Sequence, residues 1–211
     1  MTVKQWIKVT PEGVEVSGET LTTTAAPTTT AAQATTAPTM MAARGAELLT
    51  GLYRRYLNDY PRFFKMDELS KLGFVAAELL LARCGEDTNA HRGVDGSDGL
   101  DRCAVILFGR SGSVTTDRKY LATIACEDDY YPSPTLFVYT LPNMVAGEIA
   151  LRHGYHGETA FYLLPQRDDR LMHQVIETAM NDGQTTSAIC GWVDYANKAQ
   201  YEAYLELIEQ E

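Results

Sequence analysis

The stretch at residues 132–167 reads PSPTLFVYTLPNMVAGEIALRHGYHGETAFYLLPQR. Within it, Thr135–Tyr139 is rich in β-branched and aromatic residues, which predicts a strand. Pro142 suits the first turn of a helix, where its missing N–H is not needed, and Gly154 suits the end of that helix. The run TAFYLLP at 159–165 predicts a short buried strand, and a polar helix follows it. Strand, helix, strand and helix in succession indicate an α/β fold.

Apolar patterns on both sides of this stretch extend the prediction. VKQWIKV at 3–9 predicts an edge strand, and VEV at 14–16 is placed to pair back on it. The continuous apolar run CAVILFG at 103–109 predicts a central strand that is buried on both faces. TTSAICGWVDYA at 185–196 predicts a further strand with a glycine inside it. Apolar residues on one side of NKAQYEAYLELIEQE, at 197–211, predict an amphipathic helix.

Three other segments have helical patterns. Apolar residues recur at helical spacing in 41–57 and in 167–183. Asp67 has the side chain of an N-cap or first-turn acid for a helix that runs to Arg83. A functional role for Asp67 together with Lys65 is the alternative to capping.

The chain has the length of one domain, and we expect residues 1–211 to form a single domain. Residues 20–39 are almost wholly threonine, alanine and proline without hydrophobic periodicity, so we expect a surface loop there. Residues 86–101 are polar and predict a second loop.

Composition excludes several functional classes. Hydrophobic residues make up 45% and charged residues 22% of the chain, which is typical of a globular protein. The net charge of −10 argues against a nucleic-acid partner, since such partners need a basic face. No apolar window is long enough for a membrane span, and the N-terminus lacks a signal peptide, so we expect a cytoplasmic protein without a membrane partner. No cofactor-binding fingerprint is present, and we expect no cofactor.

Candidate metal ligands are scattered along the chain. His153 and His156 flank a helix-ending glycine, so they form either a metal pair or a helix-dipole partner and a surface turn residue. We expect no metal site, because no third ligand is obvious and no two cysteines form a CxxC motif. We expect buried or half-buried free thiols. The four cysteines are Cys84, Cys103, Cys126 and Cys190.

PNMVAGEIALRHGYHGETAFYLLPQ, at 142–166, resembles the segment of β-ketoacyl synthases that leads to the catalytic cysteine. In these thiolase-fold condensing enzymes a P-N-M-x-x-G helix, a Y/F-G-x-x-G-P turn and a short strand precede the nucleophile. FFKMDELSKLGFVAAELLL at 63–81 and GRSGSVTTDRKYLATI at 109–124 are also similar to the family. The resemblance covers about residues 60–195 and only the N-terminal half of the family. It implies an α/β, thiolase-like half fold with a mixed sheet packed with helices.

The resemblance places the family's turn glycine on Gly157, its proline on Glu158 and its nucleophilic cysteine on Gln166. The H-G-T-G-T and N-x-F-G-F-G-G motifs, which carry the assisting histidines, are absent. Chain-length factors, the non-catalytic members of the family, also have glutamine in place of the nucleophile. The resemblance therefore implies a non-catalytic, chain-length-factor-like subunit in fatty-acid, polyketide or aryl-polyene-type biosynthesis. The alternative role of Gln166 is that of a simple helix cap.

Family dimers pair through the strand before the nucleophile, so the resemblance implies a dimer edge at the corresponding strand. We expect a homodimer, or a heterodimer with a full ketosynthase, and acyl carrier protein is a further candidate partner. The predicted edge residues are Thr159, Ala160, Phe161, Tyr162, Leu163 and Leu164.

Two other functions stay open at this point. An active acyl-handling enzyme of the 3-oxoacyl-ACP synthase type would use Cys126 or Cys190. A stand-alone module that binds acyl carrier protein would need a basic patch, because that protein is acidic. The candidates for such a patch are Arg110, Arg118, Lys119, Arg167 and Arg170.

Overall fold

The computed structural model describes residues 1–17, 19–21, 46–84 and 102–210. The loop expected at 86–101 lies outside the described residues, as does most of the loop expected at 20–39. Thr20 and Leu21 are described, and they lie in a strand rather than in a loop.

In the described residues, seven strands form one sheet. They are β1 (Thr2–Thr10), β2 (Gly13–Val16), β3 (Glu19–Leu21), β4 (Cys103–Gly109), β5 (Thr159–Leu163), β6 (Ser187–Asn197) and β7 (Gln200–Glu209). Their order across the sheet is β3-β2-β1-β7-β6-β4-β5. β4 pairs in parallel with β5 and β6, whereas the other pairs are antiparallel. The predicted pairing of 14–16 with the first strand is confirmed, and so is the mixed sheet.

The described ranges contain six α-helices. They are α1 (Ala46–Tyr56), α2 (Glu68–Arg83), α3 (Val114–Ala122), α4 (Pro134–Val138), α5 (Met144–His153) and α6 (Asp169–Met180). A 3₁₀ turn at Pro61–Lys65 precedes α2. None of these helices has both the length and the hydrophobicity needed to span a bilayer.

The two faces of the sheet are covered differently. On one face, α1, α2 and α5 pack against the inward side chains of the strands and form the larger core. On the other face, α6 packs over β4 and β6. Because helices cover it on both sides, β4 is buried along its whole length, as its continuous apolar sequence predicted.

The second face of the sheet is polar where it extends beyond α6. There Lys8 of β1 pairs with Glu202 of β7 at 3.5 Å. Trp6 stacks on Tyr204, whose hydroxyl donates a hydrogen bond to Glu206 at 2.8 Å. These five side chains are half-buried and lie on the side of β1 and β7 opposite the larger core. We call them the open face.

The strand expected at Thr135–Tyr139 is wrong, because this segment forms the short helix α4. Ser133 caps the helix by accepting a hydrogen bond from the Leu136 N–H at 3.3 Å, and Pro134 occupies its first turn. These local signals favour a helix despite the β-branched and aromatic residues that follow.

The helix expected at 197–211 is also wrong, because residues 200–209 form β7. Its buried side chains include Tyr201, Ala203, Leu205 and Leu207, which have the period of two that is typical of a strand. β7 pairs along its length with both β1 and β6. These neighbours bury its alternate residues and outweigh a helical pattern that the same letters also fit.

Two predicted strand positions need correction. β1 lies between β2 and β7 and is therefore not an edge strand. β5 lies at the end of the sheet, and three of its five residues are exposed, so it is not the buried strand expected at 159–165. The apolar sequence of β5 alone did not distinguish an interior strand from an edge strand.

Candidate functional site

Gln166 lies on the surface just before α6. Asp168 caps the helix by accepting a hydrogen bond from the Leu171 N–H at 3.0 Å, so Gln166 is not the cap. Gln166 precedes this cap by two residues and does not lie in the first helical turn. The buried helix start that the resemblance implied is therefore not found, since the beginning of α6 faces outward.

None of the four cysteines forms a disulfide, and they differ in burial, with Cys84 half-buried. Cys103 and Cys190 are fully buried, whereas Cys126 is exposed rather than buried or half-buried as expected. Burial raises the pKa of the Cys190 thiol, and the negative charge of Glu206 adds to this effect. Cys190 therefore stays protonated and is a poor nucleophile. Of the two thiols considered for acyl transfer, Cys126 is the accessible one.

The two histidines near the end of α5 do not form a metal pair. His153 is buried, and its Nε2 atom lies 2.5 Å from Oε1 of Glu78 on α2, whereas His156 is exposed. The described residues contain no group of three side chains that could hold a metal ion. His153 is thus neither a metal ligand nor a simple partner of the helix dipole. It joins α5 to α2 through a buried carboxylate.

A second buried carboxylate, Glu148 of α5, joins two further segments, the 3₁₀ turn before α2 and the end of α4. It accepts hydrogen bonds from the hydroxyls of Tyr60 at 3.1 Å and Tyr139 at 2.9 Å, and from Arg62 at 3.2 Å. Burial, followed by the charge of Glu148, raises the pKa of Tyr60 to about 12, so this phenol remains a donor near neutral pH. Sequence reasoning missed Glu148 and Glu78, although an acid within an apolar helical run is a signal for a buried ion pair.

Asp67 has the capping role that its sequence position predicted. Its Oδ1 accepts a hydrogen bond from the Ser70 N–H at 2.9 Å, and its Oδ2 accepts one from the Thr116 hydroxyl at 2.9 Å. Burial raises the pKa of this carboxyl, although the bonds from Ser70 and Thr116 oppose the shift. Lys65 is exposed, so the two residues considered together differ in environment.

A cleft of about 430 Å³ lies at the end of the sheet where the parallel strands β4 and β6 end. Arg110, Trp192 and Asp194 line it, together with Arg167 from the segment before α6. Asp194 accepts hydrogen bonds from the backbone N–H groups of Arg110 at 3.0 Å and Ser111 at 2.6 Å, which fix its carboxylate. The carboxyl ends of parallel strands are a common position for ligand sites in α/β proteins.

The five basic candidates do not form one patch. Arg110 and Arg167 share the cleft, whereas Lys119 is engaged by Glu68 at 2.6 Å. Arg118 and Arg170 are exposed and lie on α3 and α6 respectively. Sequence reasoning named the two cleft arginines but missed Trp192, which belongs to the smaller core and also borders the cleft.

The predicted dimer edge lies on the last strand of the sheet. Thr159, Tyr162 and Leu163 are exposed, while Ala160 is half-buried. Phe161 packs against the larger core. The segment ends at Leu164, which packs against the smaller core beside α6. Pairing through this edge stays a prediction.

Comparison with known proteins identifies the fold. No family model and no curated protein matches the sequence. The ishigamide ketosynthase/chain length factor is similar in structure, with a TM-score of 0.60 and 18% identity over 99% of this chain and 61% of the other. This chain has the ketosynthase/chain-length-factor fold. The chain spans less than two thirds of the length of that protein.

Two further structures share this ketosynthase/chain-length-factor fold. The ketosynthase ApeO in complex with its chain length factor ApeC, from Xenorhabdus doucetiae, gives a TM-score of 0.52 at 13% identity, over 100% of this chain and 80% of the other. The AntDE:AntF structure, a type II PKS acyl-carrier protein in complex with its ketosynthase, gives 0.51 at 18% identity, over 74% and 50%. These likenesses confirm the α/β, thiolase-like fold that the resemblance implied.

Proposed function

We propose that this chain is a non-catalytic ketosynthase-like subunit that pairs with a ketosynthase in polyketide or aryl-polyene-type biosynthesis. The observation that carries the proposal is that β5 is the last strand of the described sheet and lies beside a position, Gln166, that holds no thiol. The proteins of similar fold are named as ketosynthase and chain-length-factor partners, and one is named in complex with an acyl-carrier protein. We extend this partnership, including contact with a carrier protein, to the present chain.

The chemistry near Gln166 supports a subunit without condensing activity. A condensing enzyme needs a thiolate with a lowered pKa, and a neutral amide cannot form a thioester. Gln166 is exposed and precedes the helix cap, so the amino end of α6 does not enclose it. His153 is held by Glu78 and is not free to assist a nucleophile.

The geometry of β5 supports pairing through its edge. One side of β5 pairs with β4, and among the described residues no strand pairs with the other side. An exposed apolar edge strand favours addition of another strand, because its backbone N–H and C=O groups need partners. The side chains of Leu163 and Pro142 both lie close to Gly112. Leu141, which precedes Pro142 in the chain, is exposed. Apolar surface therefore continues beyond the strand itself.

Leu163→Asp is expected to weaken pairing by at least about tenfold, because a carboxylate would have to lose its water at the apolar edge. Leu151→Asp is the matched control, since Leu151 is 57% exposed and Leu163 is 59% exposed. Light scattering after size exclusion measures self-association at micromolar concentration. Co-purification with a ketosynthase from the same genome measures hetero-pairing. A strict monomer that captures no ketosynthase would contradict the proposal, as would equal loss of pairing in both variants.

The alternative, acyl handling by a thiol, depends on Cys126 because it is the exposed cysteine among the two considered. We expect a maleimide reagent to label Cys126 in the folded protein and Cys190 only after denaturation. We expect an acyl-pantetheine probe to leave no adduct on either, as intact-mass spectrometry would report. A Cys126→Ser variant identifies the labelled site. A stable acyl adduct on Cys126 in the wild-type protein would favour the enzyme over the non-catalytic subunit.

A further inference from the structure

The cleft at the end of β4 and β6 has the properties of a small-molecule site. Its volume of about 430 Å³ falls in the range of roughly 300–1,000 Å³ that is usual for ligand pockets. Trp192, a residue of the smaller core that is 5% exposed, contributes an apolar edge to the cleft, while arginine side chains provide hydrogen-bond donors. The pairing proposed above does not involve these residues, so the two proposals are independent.

The two arginines of the cleft retain donors for a ligand. Nη2 of Arg110 lies 3.6 Å from Oδ2 of Asp194, which is an ion pair but longer than a hydrogen bond. Nε of Arg167 donates to Asp169 at 2.6 Å, and the guanidinium carbon lies 4.3 Å from the centre of the Tyr204 ring. The stacking fixes the plane of the Arg167 guanidinium, and its terminal N–H groups remain for an acceptor in the cleft.

Three acidic residues that line the same cleft limit how much negative charge a ligand can carry. Asp194 is held by backbone N–H groups and by Arg110, Glu202 pairs with Lys8 at 3.5 Å, and Glu12 lies in the turn between β1 and β2. These carboxylates repel a ligand with two negative charges. A ligand with one negative charge gains the guanidinium contacts at a smaller repulsive cost.

We propose that the cleft binds a monocarboxylate with an apolar or aromatic body. The carboxylate contacts Arg110 and Arg167, whose planar forks match its two oxygens, and the apolar body lies against Trp192. The cleft volume is several times that of a carboxylate group alone. The apolar or aromatic part of the ligand therefore makes most of the contacts with the walls of the cleft.

Benzoate is the probe that tests this site. The chain has two tryptophans, so Trp6→Phe leaves Trp192 in the cleft as the fluorescent reporter. We expect saturable quenching by benzoate in this background, with a dissociation constant in the millimolar range or below. Arg167→Gln is expected to weaken binding about tenfold, because it removes charged hydrogen bonds. Arg170→Gln is the matched control, since Arg170 is exposed and lies outside the cleft.

The charge of the probe gives a second comparison. Phthalate, with two carboxylates, and inorganic phosphate are expected to bind at least about tenfold more weakly than benzoate, because Glu12, Asp194 and Glu202 oppose a second charge. Saturation-transfer NMR on the wild-type protein repeats the ranking without the Trp6 substitution. No saturable benzoate signal up to about 10 mM would overturn the proposal. Equal weakening by Arg170→Gln and Arg167→Gln, or preference for phosphate, would also overturn it.

Discussion

Replacing Glu78 with alanine is expected to lower the free energy of unfolding by about 3–5 kcal/mol, because it breaks a buried ion pair from one side. Oε1 of Glu78 lies 2.5 Å from Nε2 of His153, and its Oε2 lies 3.7 Å from Nε of Arg152. The side chains of Glu78 and His153 are each 1% exposed. Without the Glu78 carboxylate, the His153 imidazole would remain in the core without a carboxylate partner among the described residues. The Arg152 guanidinium would keep only its ion pair with Asp59.

Urea denaturation of Glu78→Ala measures this loss. Glu68→Ala is the matched control, because Glu68 also forms an ion pair, with Lys119, but at a partly exposed position. The control is expected to cost at most about 1 kcal/mol. Combining Glu78→Ala with His153→Ala is expected to cost less than the sum of the two single changes, since the second removes a group that the first left unpaired. Additive losses would show that the two side chains do not interact.

Gly191→Ala is expected to lower the free energy of unfolding by about 3 kcal/mol or more. Gly191 has φ +147°, a conformation that side chains rarely adopt, and it lies within β6. A Cβ atom there would overlap the carbonyl oxygen of Tyr204 on the paired strand β7. The added methyl therefore strains the backbone and forces β6 and β7 apart, and overpacking of this kind alone costs about 1–3 kcal/mol.

Gly147→Ala is the matched control for Gly191→Ala. Gly147 lies in α5, and a Cβ atom there would meet nothing within 4 Å. Because alanine favours a helix more than glycine does, this variant is expected to gain about 0.5–1 kcal/mol. Thermal unfolding monitored by circular dichroism compares the two variants. A Gly191→Ala protein as stable as the wild type would contradict the close approach of β6 and β7.

The parts of the fold that sequence reasoning predicted are those in which one local signal is decisive. The continuous apolar run of β4 and the capping of α2 by Asp67 needed no knowledge of neighbours. The strand predicted where α4 lies and the helix predicted where β7 lies were wrong, because each segment carries two competing signals. In α4, capping by Ser133 opposes strand-forming residues, and in β7 the pairing with β1 and β6 selects the strand.

The candidate site was predictable in part for the same reason. The absence of a thiol at Gln166 is visible in the sequence, but its exposure depends on where α6 begins. The cleft brings Arg110 and Arg167 together from segments more than fifty residues apart, which no local pattern could indicate. Likewise, Glu78 and His153 meet only because α2 and α5 pack against each other.

The open face has a consequence for how this chain meets other proteins. A protein layer placed on it would have to remove water from the ion pair of Lys8 with Glu202 and from Glu206. Of the five side chains of the open face, Trp6 and Tyr204 alone offer apolar contacts to offset that cost, and both are already half-buried. By contrast, β5 exposes Tyr162 and Leu163, and no strand of the described residues pairs with its outer side. We therefore expect a partner to extend the sheet by adding a strand at β5, rather than to pack as a second layer on the open face.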